Sequence, residues 1–464
     1  MYGFVFGGAG GAADANEYIE LVKMFLRPSE FRVLRAGEDT GGAYIVDVKR
    51  PAAPAASKDK NAVKRLLYER LSALTGKLPE WGILTGIRPV KLFDALAGPN
   101  GADASRACMR FREEYYVSDA KTELTARVHA LQRATFANAA TDENTVSVYI
   151  GIPFCPTRCQ YCSFTSNQAP YARISGYLSA LGREMDFVAA GMARKRFRVE
   201  SIYIGGGTPT ALNEEDLDGL LAHTRRCFDG DTVKEFTVEA GRPDTISAGK
   251  LRVMRRRGVD RVSINPQSMN DDTLVRIGRN HTAESVRAAF RLAREAGVPV
   301  INADLIAGLP GEDAGSFARS LTAVLELEPE NITIHALAMK RAARLKEQDA
   351  EYNYETAAVA AEMTRYAAES LEKASYAPYY LYRQKQTAGN LENTGYTRDG
   401  KPGLYNVRIM DERQTVIALG AGASTKLYIP RENRLERVFN VSNYEIYEER
   451  LDEMLERKQR LLFD

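Results

Sequence analysis

The sequence predicts an α/β fold: an incomplete, roughly three-quarter (β/α)6 barrel over residues 146–345, with a small N-terminal α/β domain (1–145) before it and a C-terminal α+β extension (346–464) after it. Three observations predict it. Between Val146 and Leu345 six short β-rich runs alternate with helical patterns, which specifies a parallel sheet with crossover helices. Six units are too many for a comfortable open sheet and two short of a closed eight-unit barrel. The polar motifs described below each follow a predicted strand, and chemistry in such barrels gathers at the C-terminal strand ends.

In chain order, an apolar start (YGFVF) leads to an amphipathic segment, Glu17 to Leu26, and a strand candidate, AYIVDVKR. Pro51 to Ala62 then reads as a linker or exposed loop. In AVKRLLYERLSAL, Val63, Leu66, Leu67, Leu71 and Leu74 share a helical face, and Gly76 stands at the C-cap position. The early GGAGGAADA contains a G-x-G-x-x-A match to a dinucleotide fingerprint, but no βαβ unit with its acidic residue is evident around it, so it reads as a hairpin or loop.

The six barrel runs are SVYI before the cysteines, SIYI before GGGTPT, EFTVE ending at Glu239, RVSI before NPQS, INADLI before AGLP, and ITIHALA. Between them, NEEDLDGLLAHTRRCF is a helix with Asn213 as N-cap. TAESVRAAFRLAREAG puts Val286, Ala289, Phe290 and Ala293 on one face and ends at Gly297. The extension holds a long helix (TAAVAAEMTRYAAESLEKA), a Tyr-rich strand pair around YAPYYLYRQKQ, a glycine-rich turn (LGAGAST) and a charged terminal helix, and is expected to pack on the barrel's open edge.

At 464 residues, two or three domains are the default. Lys+Arg of 63 against Asp+Glu of 61 leaves a formal charge of +2, which selects neither nucleic acid nor an anionic membrane as partner. Five cysteines, with Cys108 and Cys227 far from the other three, make a poor disulfide framework and suit a reducing compartment. With no basic n-region and no apolar run approaching 18 residues, the expectation is a cytoplasmic protein without a membrane span.

Three of those cysteines, Cys155, Cys159 and Cys162, fall within eight residues after the first barrel strand. Three thiolates suit three irons of a cubic [4Fe-4S] cluster and leave the fourth iron free. The other reading is a zinc knuckle completed by His129, His223, His281 or His335, although structural zinc sites usually pair short modules. A free iron can bind the amino and carboxylate groups of S-adenosylmethionine, and C-x3-C-x2-C after a barrel's first strand resembles the radical S-adenosylmethionine superfamily. GGGTPT, one βα unit later, would bring backbone carbonyls close to the cofactor's ammonium. Glu239, Gln267 and Asp304 complete a ring of polar strand-end positions around one mouth.

The likeness is narrower than the superfamily. YIGIPFC, CQYCSF, IGGGTPT, TVEA, INPQS, IGRNHT and ADLIAGLP, in this order, resemble the oxygen-independent coproporphyrinogen III oxidase (dehydrogenase) family, and GILTGIRPVKL looks most like its HemZ branch. The resemblance spans roughly Thr145 to Ser424 and implies the radical S-adenosylmethionine barrel. It implies that Cys155, Cys159 and Cys162 hold the cluster, and that Tyr149, Tyr161, Gly206, Gly207, Thr208, Glu239, Gln267, Arg279, Asp304 and Ala338 contact S-adenosylmethionine. Two positions depart from the well-characterised oxidases: Gly151 stands in place of a His and Phe164 in place of a further Cys. The family's haem-chaperone branch lacks the same two groups.

The implied reaction is oxidative decarboxylation of two propionates of coproporphyrinogen III to vinyl groups, giving protoporphyrinogen IX, with electrons from a donor protein such as a flavodoxin or ferredoxin. The alternative is a haem chaperone or a haem-modifying protein of the same superfamily. A substrate with four propionates calls for cations; Arg158, Lys340, Arg341, Arg383 and Arg88 are the candidates, and each also reads as a solvated surface charge. The ligand assignment has a direct test: Cys159→Ala is expected to abolish the cluster's visible absorbance and all turnover together, and retained turnover would refute it.

Overall fold

The computed structural model describes residues 1–7, 12–34, 38, 44–49, 60–86, 88–98, 101–136, 143–162, 166–338, 345, 349 and 351–464. Residues 51–59 of the expected linker, the glycine run 8–11, Ser163, Phe164, Lys340 and Arg341 lie outside them.

The N-terminal unit is built on three parallel strands, β1 (Tyr2–Gly7), β2 (Phe31–Leu34) and β3 (Tyr44–Lys49), in the order β2-β1-β3. The helix Ala12–Val22 lies between β1 and its parallel neighbour β2, so a βαβ unit not evident from the sequence surrounds the glycine run, which itself lies outside the described residues. Two short parallel strands leave too weak an alternation for sequence periodicity to find. In the helix Lys60–Thr75, Val63, Leu67 and Leu71 are buried as the periodicity requires, whereas Leu74 is exposed because the packed face ends one turn before Gly76.

Among the described residues the main sheet has eleven strands. Six are parallel and successive neighbours: β4 (Thr145–Ile152), β5 (Arg198–Gly206), β6 (Glu235–Glu239), β7 (Arg261–Ser263), β8 (Val300–Ala307) and β9 (Asn331–Ala336). They coincide with the six predicted runs, and the sheet does not close, which gives the incomplete barrel. The helix Glu214–Phe228 is capped by Asn213 Oδ1, which accepts from the Asp216 amide at 2.8 Å. The helix Ala283–Glu295 buries Val286, Ala289, Phe290 and Ala293.

Residues after 346 add strands to both edges of this sheet. The antiparallel pair β10 (Ala377–Arg383) and β11 (Glu392–Thr397) extends it beside β9, while β12 (Thr415–Leu419) runs parallel to β4 and carries β13 (Ser424–Ile429) and β14 (Arg434–Phe439). At the N-terminal ends of the barrel strands, the helix Leu404–Asp411 directs its first amides at Glu235, whose carboxylate accepts from Leu404 N at 2.7 Å and Tyr405 N at 3.1 Å. Tyr405 thereby stacks on Tyr203, ring centroids 4.4 Å apart.

The terminal segment is two α-helices, Tyr444–Glu449 and Leu451–Lys458, interrupted at Arg450, and a closing π-helical turn, Gln459–Phe463. Lys458 and Glu184 are both fully buried and 3.1 Å apart. Glu184 also accepts from Gly420 N, Tyr447 Oη and Asn440 Nδ2, and Lys458 donates to Ala418 O at 2.6 Å. Among the described residues no helix is long and apolar enough to cross a membrane, and the five cysteines carry no disulfide.

Breaking a buried pair strands an uncompensated charge, at about 3–5 kcal/mol. Lys458→Ala is expected to lose that much in denaturant unfolding. Arg183→Ala, which removes an exposed pair with Asp452, is expected to lose less than about 1 kcal/mol.

Candidate active site at the barrel mouth

Successive side chains of a strand point to opposite faces, and in this barrel the inward column is polar. Thr237 and Glu239 on β6, Arg261 and Ser263 on β7, Asn302 and Asp304 on β8, and Thr333 and His335 on β9 all line one cavity of about 350 Å³. Its outer end is the cysteine loop and its inner end reaches Asn406 and Met410 of the helix below. Beside the opening, β10 contributes Tyr380 and Tyr382.

Past the last residues of β4 and β5 the two chain segments cross in close contact. Gly207 N donates to Ile152 O at 2.7 Å and Thr208 N to Phe154 O at 2.8 Å, so the two strand ends are stitched together. A Cβ on Gly207 would lie 2.6 Å from Phe154 O and 3.0 Å from Cys155 Sγ, which is why the crossing requires glycine. Gly206 has φ +113°, a conformation for glycine alone. A Cβ on Gly205 would meet the Glu239 carboxyl carbon at 2.8 Å. The loop is fixed further by Cys155 N to Asn167 O at 3.0 Å and Gln160 N to Ile277 O at 3.0 Å.

Cys155, Cys159 and Cys162 all line the cavity. Cys155 Sγ is 3.3 Å from Thr208 Oγ1, and burial pushes its thiol up to about 11. Opposite them, Glu239 accepts from Tyr203 Oη at 2.6 Å and Gly206 N at 3.3 Å. Burial, with Asp304 nearby, raises its carboxyl to about 7 despite those donors. Arg279 donates to Gly241 O at 2.5 Å, Asn265 O at 2.9 Å and Tyr161 Oη at 3.1 Å, holding the Tyr161 ring at the rim. Asp304 accepts from Asn302 at 2.8 Å, and the nearby His335 and these hydrogen bonds keep it below its ordinary value.

Gln267 has φ +67°, because its amide and carbonyl both bond β8, to Asp304 O at 2.8 Å and from Ile306 N at 3.0 Å. Its side chain turns into the cavity, and the buried Oε1 meets no hydrogen-bond partner among the described residues. Such an orphaned acceptor calls for a ligand donor.

Twelve of the thirteen sequence-derived positions therefore line one cavity: the three cysteines, Tyr161, Gly206, Gly207, Thr208, Glu239, Gln267, Arg279, Asp304 and Ala338. Tyr149 is placed differently. Its ring stacks on Tyr203 and Tyr405, at 6.2 and 6.3 Å, outside the lining, because the helix Leu404–Asp411 supplies the ring that traps it.

Of the cations considered for propionates, Arg383 is buried against the N-terminal unit, donating to Leu84 O and Asn390 O over the Trp81 ring. Arg88 pairs with Glu412 at 2.8 Å. Neither lines the cavity. Sequence reasoning missed Tyr203, Arg242, Asn302 and Thr333, and weighed His335 only as a zinc ligand. The signal was the strict alternation T-x-E, R-x-S-x-N, N-x-D and T-x-H along the strands, a polar inward face where a filled barrel carries branched apolar residues. Elsewhere, Asp186, His223 and Cys227 cluster, but one Asp186 oxygen already receives His223, Arg226 and Cys227, which is a surface ion-pair network.

Comparison with known proteins matches this geometry. Residues 149–324 match the model of the radical SAM superfamily, which defines the class of protein. The chain is 38% identical over 406 residues, 87% of this chain and 81% of the relative, to the oxygen-independent coproporphyrinogen-III oxidase-like protein HemZ of Bacillus subtilis; it belongs to that HemZ family. It is 38% identical over 192 residues, 41% of this chain and 50% of the relative, to the haem chaperone HemW of the same organism. Among solved structures, coproporphyrinogen III oxidase (HemN) from Escherichia coli aligns over 70% of this chain and 73% of its own with TM-score 0.54 at 23% identity, which shows the shared fold.

Members of the superfamily use a [4Fe-4S] cluster and S-adenosylmethionine, and these are the cofactors of this chain. The residues fit them: three thiols and, among the described residues, no further thiol on the lining, a glycine cradle that a Cβ would fill, and an orphaned buried acceptor.

The raised carboxyl of Glu239 has a thermodynamic consequence in the cofactor-free chain. The folded state holds this proton more tightly than the unfolded state, so the stabilisation is full below the ordinary value of 4.5 and is lost as pH rises to about 7. Unfolding followed across that window is expected to show Glu239→Gln gaining on the wild type as pH rises, by at most ~1.4 kcal/mol per unit, and to level off above it.

Proposed function

We propose that the chain is a radical S-adenosylmethionine oxidoreductase that decarboxylates propionates of coproporphyrinogen III to vinyl groups without oxygen, giving protoporphyrinogen IX. The observation that carries this reading is the convergence of three thiols, Glu239 and the orphaned Gln267 Oε1 on one polar cavity in a chain of the HemZ family. Residues 146–345 are the catalytic unit. A donor protein such as a flavodoxin or ferredoxin supplies the electrons.

When bound, the cluster and S-adenosylmethionine supply one-electron reduction and hydrogen-atom abstraction; the chain positions them. Cys155, Cys159 and Cys162 hold the cluster. Glu239, ionised above about pH 7, accepts from the cofactor's ammonium together with the carbonyls of the glycine crossing at Gly206 and Gly207. Tyr161, fixed by Arg279, offers a ring face, and Gln267 accepts from the cofactor, while Thr208, Asp304 and Ala338 complete the wall. Tyr149 acts through Tyr203, whose hydroxyl orients Glu239. A cavity of about 350 Å³ suits one cofactor-sized molecule, so the tetrapyrrole is met at the barrel's open side.

A second reading, a haem chaperone, is favoured by Gly151. It stands in register beside Gly205 on the strand that opens the site, where the well-characterised oxidases carry a His. One anaerobic experiment separates the two: reconstituted protein with reductant, S-adenosylmethionine and coproporphyrinogen III is expected to form 5'-deoxyadenosine and a vinyl product. Deoxyadenosine without porphyrin product, together with stoichiometric haem binding, would establish the chaperone instead.

A further inference from the structure

Three residues beyond Glu239, in the turn after β6, Arg242 sits 3% exposed beside the cysteine loop. Its guanidinium is clamped by Asp244: Nε donates to Oδ1 and Nη2 to Oδ2, each at 3.0 Å. A bidentate pair of this kind fixes the plane of the fork. The remaining nitrogen, Nη1, is aimed at the loop, 3.6 Å from Cys159 Sγ and 3.5 Å from Thr157 O. Cys155 meets a neutral hydroxyl instead, that of Thr208. The guanidinium hydrogen bond thus reaches Cys159, while its charge also lies near Cys155.

We infer that Arg242 sets the reduction potential of the cluster through the Cys159 thiolate, with Asp244 as the counterweight that limits its effect. The inference rests on the cluster assignment made above. Reduction adds one negative charge to the cluster, and a cationic hydrogen-bond donor at a ligand sulfur stabilises the reduced form more than the oxidised one. The low exposure of Arg242 and Cys159 keeps solvent from screening the pair. The Asp244 carboxylate, itself about a quarter exposed, offsets part of that field while holding the fork in place. Arg242 is a positioning and tuning residue in this scheme, outside the set that touches the reacting carbon.

The two members of the pair have opposite signs, and this separates tuning from scaffolding. In an EPR-monitored redox titration of the reconstituted full chain, Arg242→Gln is expected to make reduction about tenfold less favourable, a shift of ~59 mV to more negative potential for one electron. Asp244→Asn is expected to shift it the opposite way, and Arg242→Lys to keep most of the wild-type value. Shifts of the same sign in Arg242→Gln and Asp244→Asn, or no shift in either, would overturn the inference. If Arg242→Gln fails to load iron, Asp244→Asn decides alone, an unchanged or more negative potential counting against it. Iron and sulfide analysis of the wild type keeps the two levels apart: absence of four irons per chain defeats the cluster reading, whereas full loading with flat potentials defeats only the role of Arg242.

Discussion

Two backbone hydrogen bonds govern the site. Gly207 N to Ile152 O and Thr208 N to Phe154 O continue the parallel pairing of β4 and β5 beyond the strands themselves. They force the glycine segment against the root of the cysteine loop, so no side chain fits at 207, and the space left at 205 is taken by the Glu239 carboxyl. Metal ligands, cradle and acidic acceptor are thus positioned by one main-chain contact, and the ladder places them more reproducibly than flexible side chains would.

That junction is held from outside by the extension. Tyr177 Oη donates to Gly151 O at 2.5 Å and accepts from Ala421 N at 3.1 Å, tying the end of β4 to the turn after β12. Phe154, immediately before the first cysteine, packs edge-on against Tyr177 and Tyr444. Beneath them the buried Glu184–Lys458 pair anchors the terminal helix. Residues nearly three hundred positions downstream therefore brace the cysteine loop.

The barrel was legible in the sequence because its strands are short, β-rich and mostly followed by a helix with its own side-chain cap, as at Asn213 and Thr282. The cavity wall was legible where motifs end strands. Less legible were positions set by long-range packing. Tyr149 carries the residue type expected of a wall, yet its place depends on Tyr405, some 250 residues away in sequence, in a helix that local pattern does not link to the barrel. Arg383 offered a cation for substrate and is consumed by an interface. The β1–β2 unit escaped because its second strand has only four residues. Gln267 could be named from its strand end, but its positive φ arises from pairing with β8 on both sides, a tertiary fact.

Where the N-terminal unit meets the main sheet, one buried carboxylate collects two donors from the other side. Glu392 on β11 is 5% exposed and receives Trp81 Nε1 at 2.8 Å and Lys121 Nζ at 2.7 Å, while Arg383 covers the Trp81 ring. Exchange of Glu392 alone leaves Trp81 Nε1 without its acceptor and Lys121 with only the half-exposed Glu80 at 3.4 Å. A change at 392 is therefore coupled to 81 and 121, and recombination between relatives across this contact would have to carry all three together.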